Sequence, residues 1–523
     1  MRLLAALLLA AACVTPPSRP APSARYADLV SLFAEWRAFQ RPALSGGVPD
    51  YTPPAMAAQH AALQRWMARL DAFDTRGWSV AEEDDLRLVR AEMNGLDFDH
   101  RVLRPWERMP AFYATVFDEQ SDQPAREGPF AFGAVELWTL RSPEEAGRFL
   151  PQLQAIPGLL DQARKNLTGD ARDLFVHGIG ALKDQRRILA ALEGKVAKDL
   201  EPAVHAALVA TEGFIGWLEA EAPRKRGPSG VGVANYDWYL KNVQLLPYTW
   251  AEEKLLVERE LARARAGLAL EEEKNRGLPA QAPVASAEEH RRRFEAAVGE
   301  YVEFLRRRQI VTLRDWMEPA LRARVGRYSP PPHEFFTEVD LRDPVMMRTH
   351  SYHWIDLAWM EHEPNPSPIR RGPLLYNIFD SRTEGFATAM EELMMHAGLF
   401  EARPRSRELI YILLAQRAAR ALGDLRMHAN ELTLDEAARF AAENTPRGWL
   451  RLSGSTVWGE QLLYLQQPAY GTSYVIGKLQ VDELIAARAR KLGPDFTLRR
   501  VLDELNTAGL VPISLVRREL EGG

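Results

Sequence analysis

The sequence predicts an all-α protein, and three observations support this. Helix-start signals recur, in which a Ser or Thr precedes a Glu by three residues, so that each side chain can satisfy a backbone N–H of the other residue. Apolar residues then follow at three- and four-residue spacing. Alternating β-branched segments are scarce, and the one extended candidate is "PSGVGVANYDWYL". The predicted capping boxes are Ser79 with Glu82, Ser142 with Glu145, Ser286 with Glu289, and Thr433 with Glu436.

Size and charge narrow the possible classes of function. The chain has 523 residues, 46% of them hydrophobic and 26% charged. A chain of this length has a large core and roughly two to four structural units. Its net charge is -5, so it offers no general basic surface, and we expect no nucleic-acid partner.

The N-terminus predicts export. After Arg2 an apolar run extends to Ala12, which is too short to span a bilayer and is typical of a signal peptide over residues 1–12. Cys13, the only cysteine, follows directly, as in a bacterial lipoprotein in which that cysteine is acylated. Residues 13–25 then form a Pro/Ser-rich tether. No Asp follows Cys13, which favours the outer membrane. The alternative is a plain secretory signal with an incidental cysteine.

Breaks in the helical pattern suggest how the body is divided. The basic, Gly/Pro-rich stretch at 222–232 predicts an N-terminal helical lobe over 26–226 and a C-terminal helical lobe over 227–523. Further loops are predicted at 275–286, 327–334 and 363–373. No internal repeat is evident.

A polar stripe runs along a helix that is otherwise apolar. From Leu409 to Leu422 the chain is almost entirely apolar, yet four polar residues recur at steps of three, four and four. At about 100° per residue they share one face. They are either a structural ion-pair network or the wall of a cleft, and spacing alone favours the first. The four are Arg417, Arg420, Asp424 and His428.

Two neighbouring segments concentrate histidines and carboxylates. "THSYHWIDLAWMEH" places His350 and His353 on one side of a helix, with Asp356 one turn beyond. "TEGFATAMEELMMHAGLF" places Glu384 and Glu391 on one face, two turns apart. This composition suits a metal site. No HExxH motif is present, and a structural pair of histidines on an aromatic face is the alternative.

Four blocks carry a resemblance to a known family: "EGFATAMEEL", "RAARALGDLRMHANELTLDEA", "PAYGTSYVIGKLQVDELIA" and "LGPDFTLRRVLDELNTAGLVPISL". Their order and spacing resemble the bacterial domain-of-unknown-function family 885, over residues 230–519. The resemblance implies an all-α, two-lobed helical architecture of the zinc-peptidase (gluzincin) type around a central cleft.

The family's metal motif, HE-x-x-P-G-H followed further on by E-G-W, is altered here. His353 matches the first histidine, but Trp354 stands where the general base belongs and Trp359 where the second histidine belongs. Glu384 matches the glutamate of E-G-W. Leu502 stands where many members have a histidine.

The resemblance implies roles for the remaining polar residues. His353 and Glu384 would bind zinc, with His350 or His396 as a further ligand and Asp356 as a substitute ligand or base. His428 and Tyr474 match a His and a Tyr suited to polarising a substrate carbonyl. We expect the substrate to contact Arg417, Arg420 and Glu391.

The expected function follows from these roles. We expect an exported lipoprotein that hydrolyses peptides or cell-wall fragments at a variant metal site, with the membrane contacted through the lipid anchor alone. The alternative is a catalytically inactive cell-envelope binding protein that uses the same cleft.

Overall fold

The computed structural model describes residues 23–119, 121–132 and 142–522. The predicted signal peptide, the lipidation site Cys13 and the tether up to residue 22 lie outside the described residues. Within them, no helix combines the length and the apolar character that crossing a bilayer requires.

The N-terminal part contains seven α-helices and one small sheet in the ranges described. Strand β1 (Leu44–Ser45) pairs antiparallel with β2 (Val48–Pro49), with Leu44 opposite Pro49. A π-helical turn, Asp99–Leu103, continues the third helix. The helices are α1 (Tyr26–Phe39), α2 (Pro53–Asp71), α3 (Val80–Phe98), α4 (Pro105–Arg108), α5 (Leu150–Asn166), α6 (Arg172–Leu192) and α7 (Glu201–Glu221).

The C-terminal part continues as helices joined by loops and short 3₁₀ turns. They are α8 (Val233–Asn242), α9 (Trp250–Lys274), α10 (Ala287–Arg308), α11 (Met317–Arg322), α12 (Phe335–Arg342), α13 (Pro344–His350), α14 (Tyr352–His362), α15 (Asp380–His396), α16 (Ser406–His428), α17 (Leu434–Asn444), α18 (Thr456–Gln466), α19 (Tyr470–Leu492), α20 (Leu498–Ala508) and α21 (Ile513–Glu521).

The all-α prediction is confirmed, and most helix-start signals are correct. Ser79 and Thr433 form full capping boxes, and Ser286 accepts a hydrogen bond from the backbone N–H of Glu289. The box predicted at Ser142 is wrong, because a 3₁₀ helix begins there and the serine makes no capping hydrogen bond. A box that the sequence analysis missed, Thr249 with Glu252, begins α9.

The extended segment predicted around residues 228–240 is mostly helical. Only Gly227 makes a bridge of β type, to Ala171, and α8 begins six residues later at Val233. The boundary at 226/227 stays a prediction, since one continuous hydrophobic core contains buried residues from both sides of it.

Helices α15, α16 and α19 lie at the centre of the molecule, and α15 and α16 are buried along almost their whole length. Two glycines set the separation of α15 and α19. A Cβ atom on Gly385 would lie 2.3 Å from the Cα of Gly477, so the two backbones touch at this point. This contact brings Glu384 on α15 against Tyr470 and Tyr474 on α19.

Candidate functional site

The centre of the site is a buried contact between an imidazole and a carboxylate. His353 on α14 places its Nε2 3.2 Å from Oε2 of Glu384 on α15, and the two side chains are only 2% and 4% exposed. Neither atom makes a hydrogen bond in the described structure. Buried polar atoms are ordinarily satisfied, so this pair is open to a further partner.

His350 joins this pair. Helix α13 ends at His350 and α14 begins at Tyr352, so the two histidines lie on separate helices rather than on the single predicted one. Their rings meet edge to face with centroids 4.9 Å apart. One ligand atom each from His350, His353 and Glu384 lie within 4.8 Å of one another.

These three residues fit a transition-metal ion. Two imidazoles and one carboxylate are a donor set of catalytic zinc sites. Zinc ligands lie about 2.0–2.1 Å from the metal, so two ligands of a tetrahedron lie about 3.3 Å apart. The separation of 3.2 Å between His353 Nε2 and Glu384 Oε2 agrees with that edge.

The second oxygen of Glu384 is held by three donors. The hydroxyl of Tyr470 donates to Oε1 at 2.6 Å, that of Tyr474 at 3.1 Å, and Nε2 of Gln123 at 2.9 Å. These bonds fix the carboxylate so that Oε2 is directed at His353.

His353 and Glu384 each shift the pKa of the other. Burial by itself raises the pKa of Glu384, but the neighbouring His353 lowers it to about 2. Burial by itself lowers the pKa of His353, but the Glu384 carboxylate raises it to about 9. Without a metal, the two groups therefore form an ion pair at neutral pH.

A second buried cluster, in which both oxygens of Glu391 are paired, supports His350. Both oxygens of Glu391 accept from the Arg417 guanidinium, at 2.6 and 2.7 Å, and Oε1 lies 3.1 Å from Nδ1 of His350. Histidines that bind metals ordinarily use their other ring nitrogen for such a contact, which orients the ring.

Asp356 is engaged elsewhere, contrary to its predicted role as ligand or base. Its two oxygens accept from the two terminal nitrogens of Arg382, each at 3.1 Å, and it is not part of the group of three ligand atoms. Burial raises the pKa of Asp356, although Arg382 opposes the shift. The carboxylate belongs to a structural ion pair.

The rest of the stripe on α16 packs against α18 and α19. Arg420 pairs with Glu460, and its guanidinium lies 5.1 Å from the ring centroid of Tyr474. Asp424 accepts from the backbone N–H of Gly471 at 2.7 Å, and Nε2 of His428 lies 2.9 Å from the carbonyl oxygen of Tyr464. In the described structure these residues contact neighbouring helices, and none of them hydrogen-bonds to Glu384 or His353.

The tryptophans that replace the family's motif make ring contacts with residues other than the three candidate ligands. Trp354 packs under the guanidinium of Arg324, and Trp359 packs edge to face on Trp316. His396, the other suggested ligand, is 70% exposed beside Glu392. Leu502 is buried in the core.

Sequence reasoning missed Gln123, Glu127 and Tyr470. The first two belong to a loop of the N-terminal part, and no spacing in the sequence connects that loop to α15. Oε1 of Glu127 lies 3.3 Å from the hydroxyl of Tyr470, and burial raises the pKa of Glu127 to about 7. Tyr470 had a visible signal, because it precedes Tyr474 by one helical turn.

Comparisons with known proteins agree with this fold. The family described as "Bacterial protein of unknown function (DUF885)" matches residues 39–520. The chain resembles a candidate lipoprotein of unknown function from Shewanella oneidensis, with a TM-score of 0.68 and 14% identity, covering 95% of this chain and 100% of that one. A candidate lipoprotein from Colwellia psychrerythraea gives a TM-score of 0.67 and 14% identity, covering 95% and 98%. No curated protein matches.

Proposed function

We propose that this chain, which belongs to the bacterial DUF885 family, is an exported lipoprotein. We propose further that it hydrolyses peptides at a metal ion held by His350, His353 and Glu384. The observation that carries this proposal is the convergence of the three ligand atoms within 4.8 Å in a buried site. Zinc, when bound by three protein ligands, supplies Lewis-acid polarisation of a carbonyl and an activated water.

The export part of the proposal has its own support. An apolar leader ends at Cys13, and two proteins of the same fold are described as candidate lipoproteins. Acylation of Cys13 would anchor the chain, since each buried CH₂ contributes about 0.8 kcal/mol. The lack of an Asp after Cys13 favours the outer membrane.

Protein groups around the three ligands suit amide hydrolysis. The phenols of Tyr470 and Tyr474 donate to Glu384 in this structure, and either one would serve a developing oxyanion by transferring its single O–H donation from Glu384 to the substrate. We assign Glu127 as the general base, since its pKa lies near 7 and its carboxylate contacts Tyr470. Arg417 and Glu391 satisfy each other and orient His350 instead of binding substrate.

Gln123 stands in for a substrate amide in this arrangement. Its carboxamide is the same chemical group as a peptide bond, and its Nε2 lies 2.9 Å from Glu384 Oε1 and 3.4 Å from His353 Nδ1. Its own carbonyl oxygen is buried without a hydrogen-bond partner. Turnover therefore requires Gln123 to withdraw so that a substrate amide can enter.

Metal content tests the proposal directly. Purified protein is loaded with zinc, passed through gel filtration and measured by mass spectrometry of the metal. We expect about one zinc per chain in the native protein, and at least about tenfold weaker binding in Glu384→Gln. The matched control is Glu361→Gln, an exposed position on α14. Equal zinc retention by the native protein and Glu384→Gln contradicts the site.

Activity is tested with a mixed peptide library, with and without chelator. The proposal expects cleavage that the chelator removes and added zinc restores. The alternative function is an inactive envelope binding protein, which the near-complete burial of His353 and Glu384 under Gln123 favours. That alternative expects peptide binding without cleavage and no response to chelator.

A further inference from the structure

A cavity lies between the N-terminal and C-terminal parts, and it has no role in the proposed function. Its volume is about 140 Å³. A cavity of about 150 Å³ is enough to hold a benzene-sized group, so this one admits a single ring or a single extended side chain. Among its lining residues are the aromatic rings of Tyr51, Trp106, Phe112, Tyr239 and Tyr376 and the carboxyl group of Asp99.

Asp99 is the unusual member of this lining. It begins the π-helical turn after α3, a type of turn that is frequent at functional sites. Among the described residues its carboxyl has no hydrogen-bond or ion-pair partner, and burial alone raises its pKa to about 8. Burial raises the pKa of the Tyr239 and Tyr376 phenols, and the Asp99 carboxylate raises it further.

One wall of the cavity is held in a strained conformation. Tyr376 and Asn377 both have positive φ, 56° and 48°, which is costly for residues other than glycine. The ring of Tyr376 lies over Gly95, where a Cβ atom would be 2.3 Å from the ring. Hydrogen bonds hold this turn, from Gln244 to the Tyr376 carbonyl and from the Asn377 side chain to Gln467. Strained residues of this kind persist when the surrounding structure fixes them, and they cluster at active sites and ligand-binding segments.

The charges around the cavity favour a cationic ligand. Arg37 also lines it but is neutralised by Glu92, with Nε 2.8 Å from Oε2. Arg41 lies at the exposed rim. The interior therefore presents a carboxyl group among aromatic faces. Asp99 keeps its proton at pH 7 while the cavity is empty, and it would release that proton to pair with an entering cation, which the aromatic faces also attract.

We infer that this cavity binds a protonated primary amine carried on a short apolar group, with the ammonium on Asp99 and the carbon skeleton between the rings. A lysine side chain and an aralkylamine share this chemistry. Amine binding at this cavity does not require a metal ion, so its test is independent of the proposed function.

The test compares matched probes on the purified protein in the presence of chelator. Benzylamine and n-butylamine, protonated at pH 7, are titrated by calorimetry beside the neutral isosteres benzyl alcohol and n-butanol. We expect at least one amine to bind tenfold or more tightly than its alcohol. Benzylamine binding better than butylamine would identify an aromatic amine as the ligand type, and the reverse order a lysine-like chain.

Three variants test whether Asp99 causes the preference. Asp99→Asn keeps the shape of the side chain and should abolish the preference for amine while leaving alcohol binding within twofold. Asp71→Asn, an exposed carboxylate on α2, should change neither affinity. Tyr376→Phe should weaken amine binding by less than Asp99→Asn does, because the ring remains. Equal affinity for amine and alcohol, no binding of either, or a preference that persists in Asp99→Asn would overturn the inference.

Discussion

Two glutamates on the same face of α15 have opposite environments. Glu391 is fully paired, since Arg417 occupies both of its oxygens and His350 approaches one of them. Glu384, two turns earlier, has three donors on Oε1, while Oε2 forms an ion pair with His353 and, among the described residues, makes no hydrogen bond. Both are buried. Both oxygens of the first accept hydrogen bonds from a guanidinium, and one oxygen of the second makes no hydrogen bond among the described residues.

The comparison shows that burial of a charge does not identify a functional residue. A buried ion pair that is complete fixes packing and contributes little net stability, while losing one partner is costly. An incomplete buried group is retained in spite of its cost, which is typical of sites that bind something. Variants in the two environments should therefore behave differently.

The largest expected effect is in the complete pair. Arg417→Met leaves the Glu391 carboxylate buried without its guanidinium, so the free energy of unfolding should fall by about 3–5 kcal/mol. Urea denaturation measures this. Arg307→Met, at an exposed position on α10, should change it by less than about 0.5 kcal/mol.

The double variant sharpens the result. Removing both charges, in Arg417→Met with Glu391→Met, should recover most of the loss, because no unpaired charge remains buried. A single Arg417→Met variant that loses less than about 1 kcal/mol would mean that the pair is not buried as described.

A third buried carboxylate, Glu253 on α9, extends the comparison to pH. Both of its oxygens are buried without a hydrogen-bond partner, and burial raises its pKa to about 8. The folded state therefore keeps the proton up to about pH 8, while the unfolded chain loses it above about pH 4.5. This group stabilises the fold at low pH, and its contribution is lost as the pH rises toward 8.

Glu253→Gln removes this pH dependence. Relative to the variant, the native protein should lose roughly 2–3 kcal/mol of unfolding free energy between pH 5 and pH 7. Urea denaturation of both proteins at the two pH values measures the difference. Parallel changes in the two proteins would show that Glu253 is solvated or paired. Glu361→Gln, which is exposed, should follow the native protein.

The donors to Glu384 should have graded effects. Tyr470 donates at 2.6 Å and Tyr474 at 3.1 Å, and hydrogen bonds to charged groups contribute about 1.5–3 kcal/mol. We expect Tyr470→Phe to lower the unfolding free energy by about 2 kcal/mol and Tyr474→Phe by about 1 kcal/mol. Both variants should also weaken zinc binding, measured by competition with a chelator. The opposite order would indicate that Tyr474 is the main donor.

The sequence predicted the helical class and most helix starts because these depend on local patterns. The capping box at Thr433 and the apolar spacing of α16 are complete within a few residues. The meeting of His353 and Glu384 was also expected, but through family resemblance and not from spacing. The contact depends on how α14 packs against α15, which no local sequence pattern specifies.

The rest of the site depends on contacts distant in sequence. Gln123 contacts Glu384 from 261 positions away, and no local pattern encodes that. The break at Ser351, which puts His350 and His353 on different helices, has no proline or glycine to mark it. Asp356 was expected to be a substitute ligand or base at the altered motif. Arg382 on α15 instead pairs with both of its oxygens, and the spacing of residues within α14 does not reveal that partner.

The smallest expected effect concerns the two tryptophans that replace the family's motif. If they had rebuilt one wall of the metal site, changing them would alter metal affinity. Trp354 instead stacks with Arg324, and Trp359 packs on Trp316, and neither of these partners is a candidate ligand. Trp354→Phe and Trp359→Phe should therefore change zinc affinity less than twofold, measured beside His353→Gln as the positive control. A loss of zinc affinity in either tryptophan variant comparable to that of His353→Gln would contradict this prediction. It would mean that the tryptophan ring forms part of the metal site around Glu384.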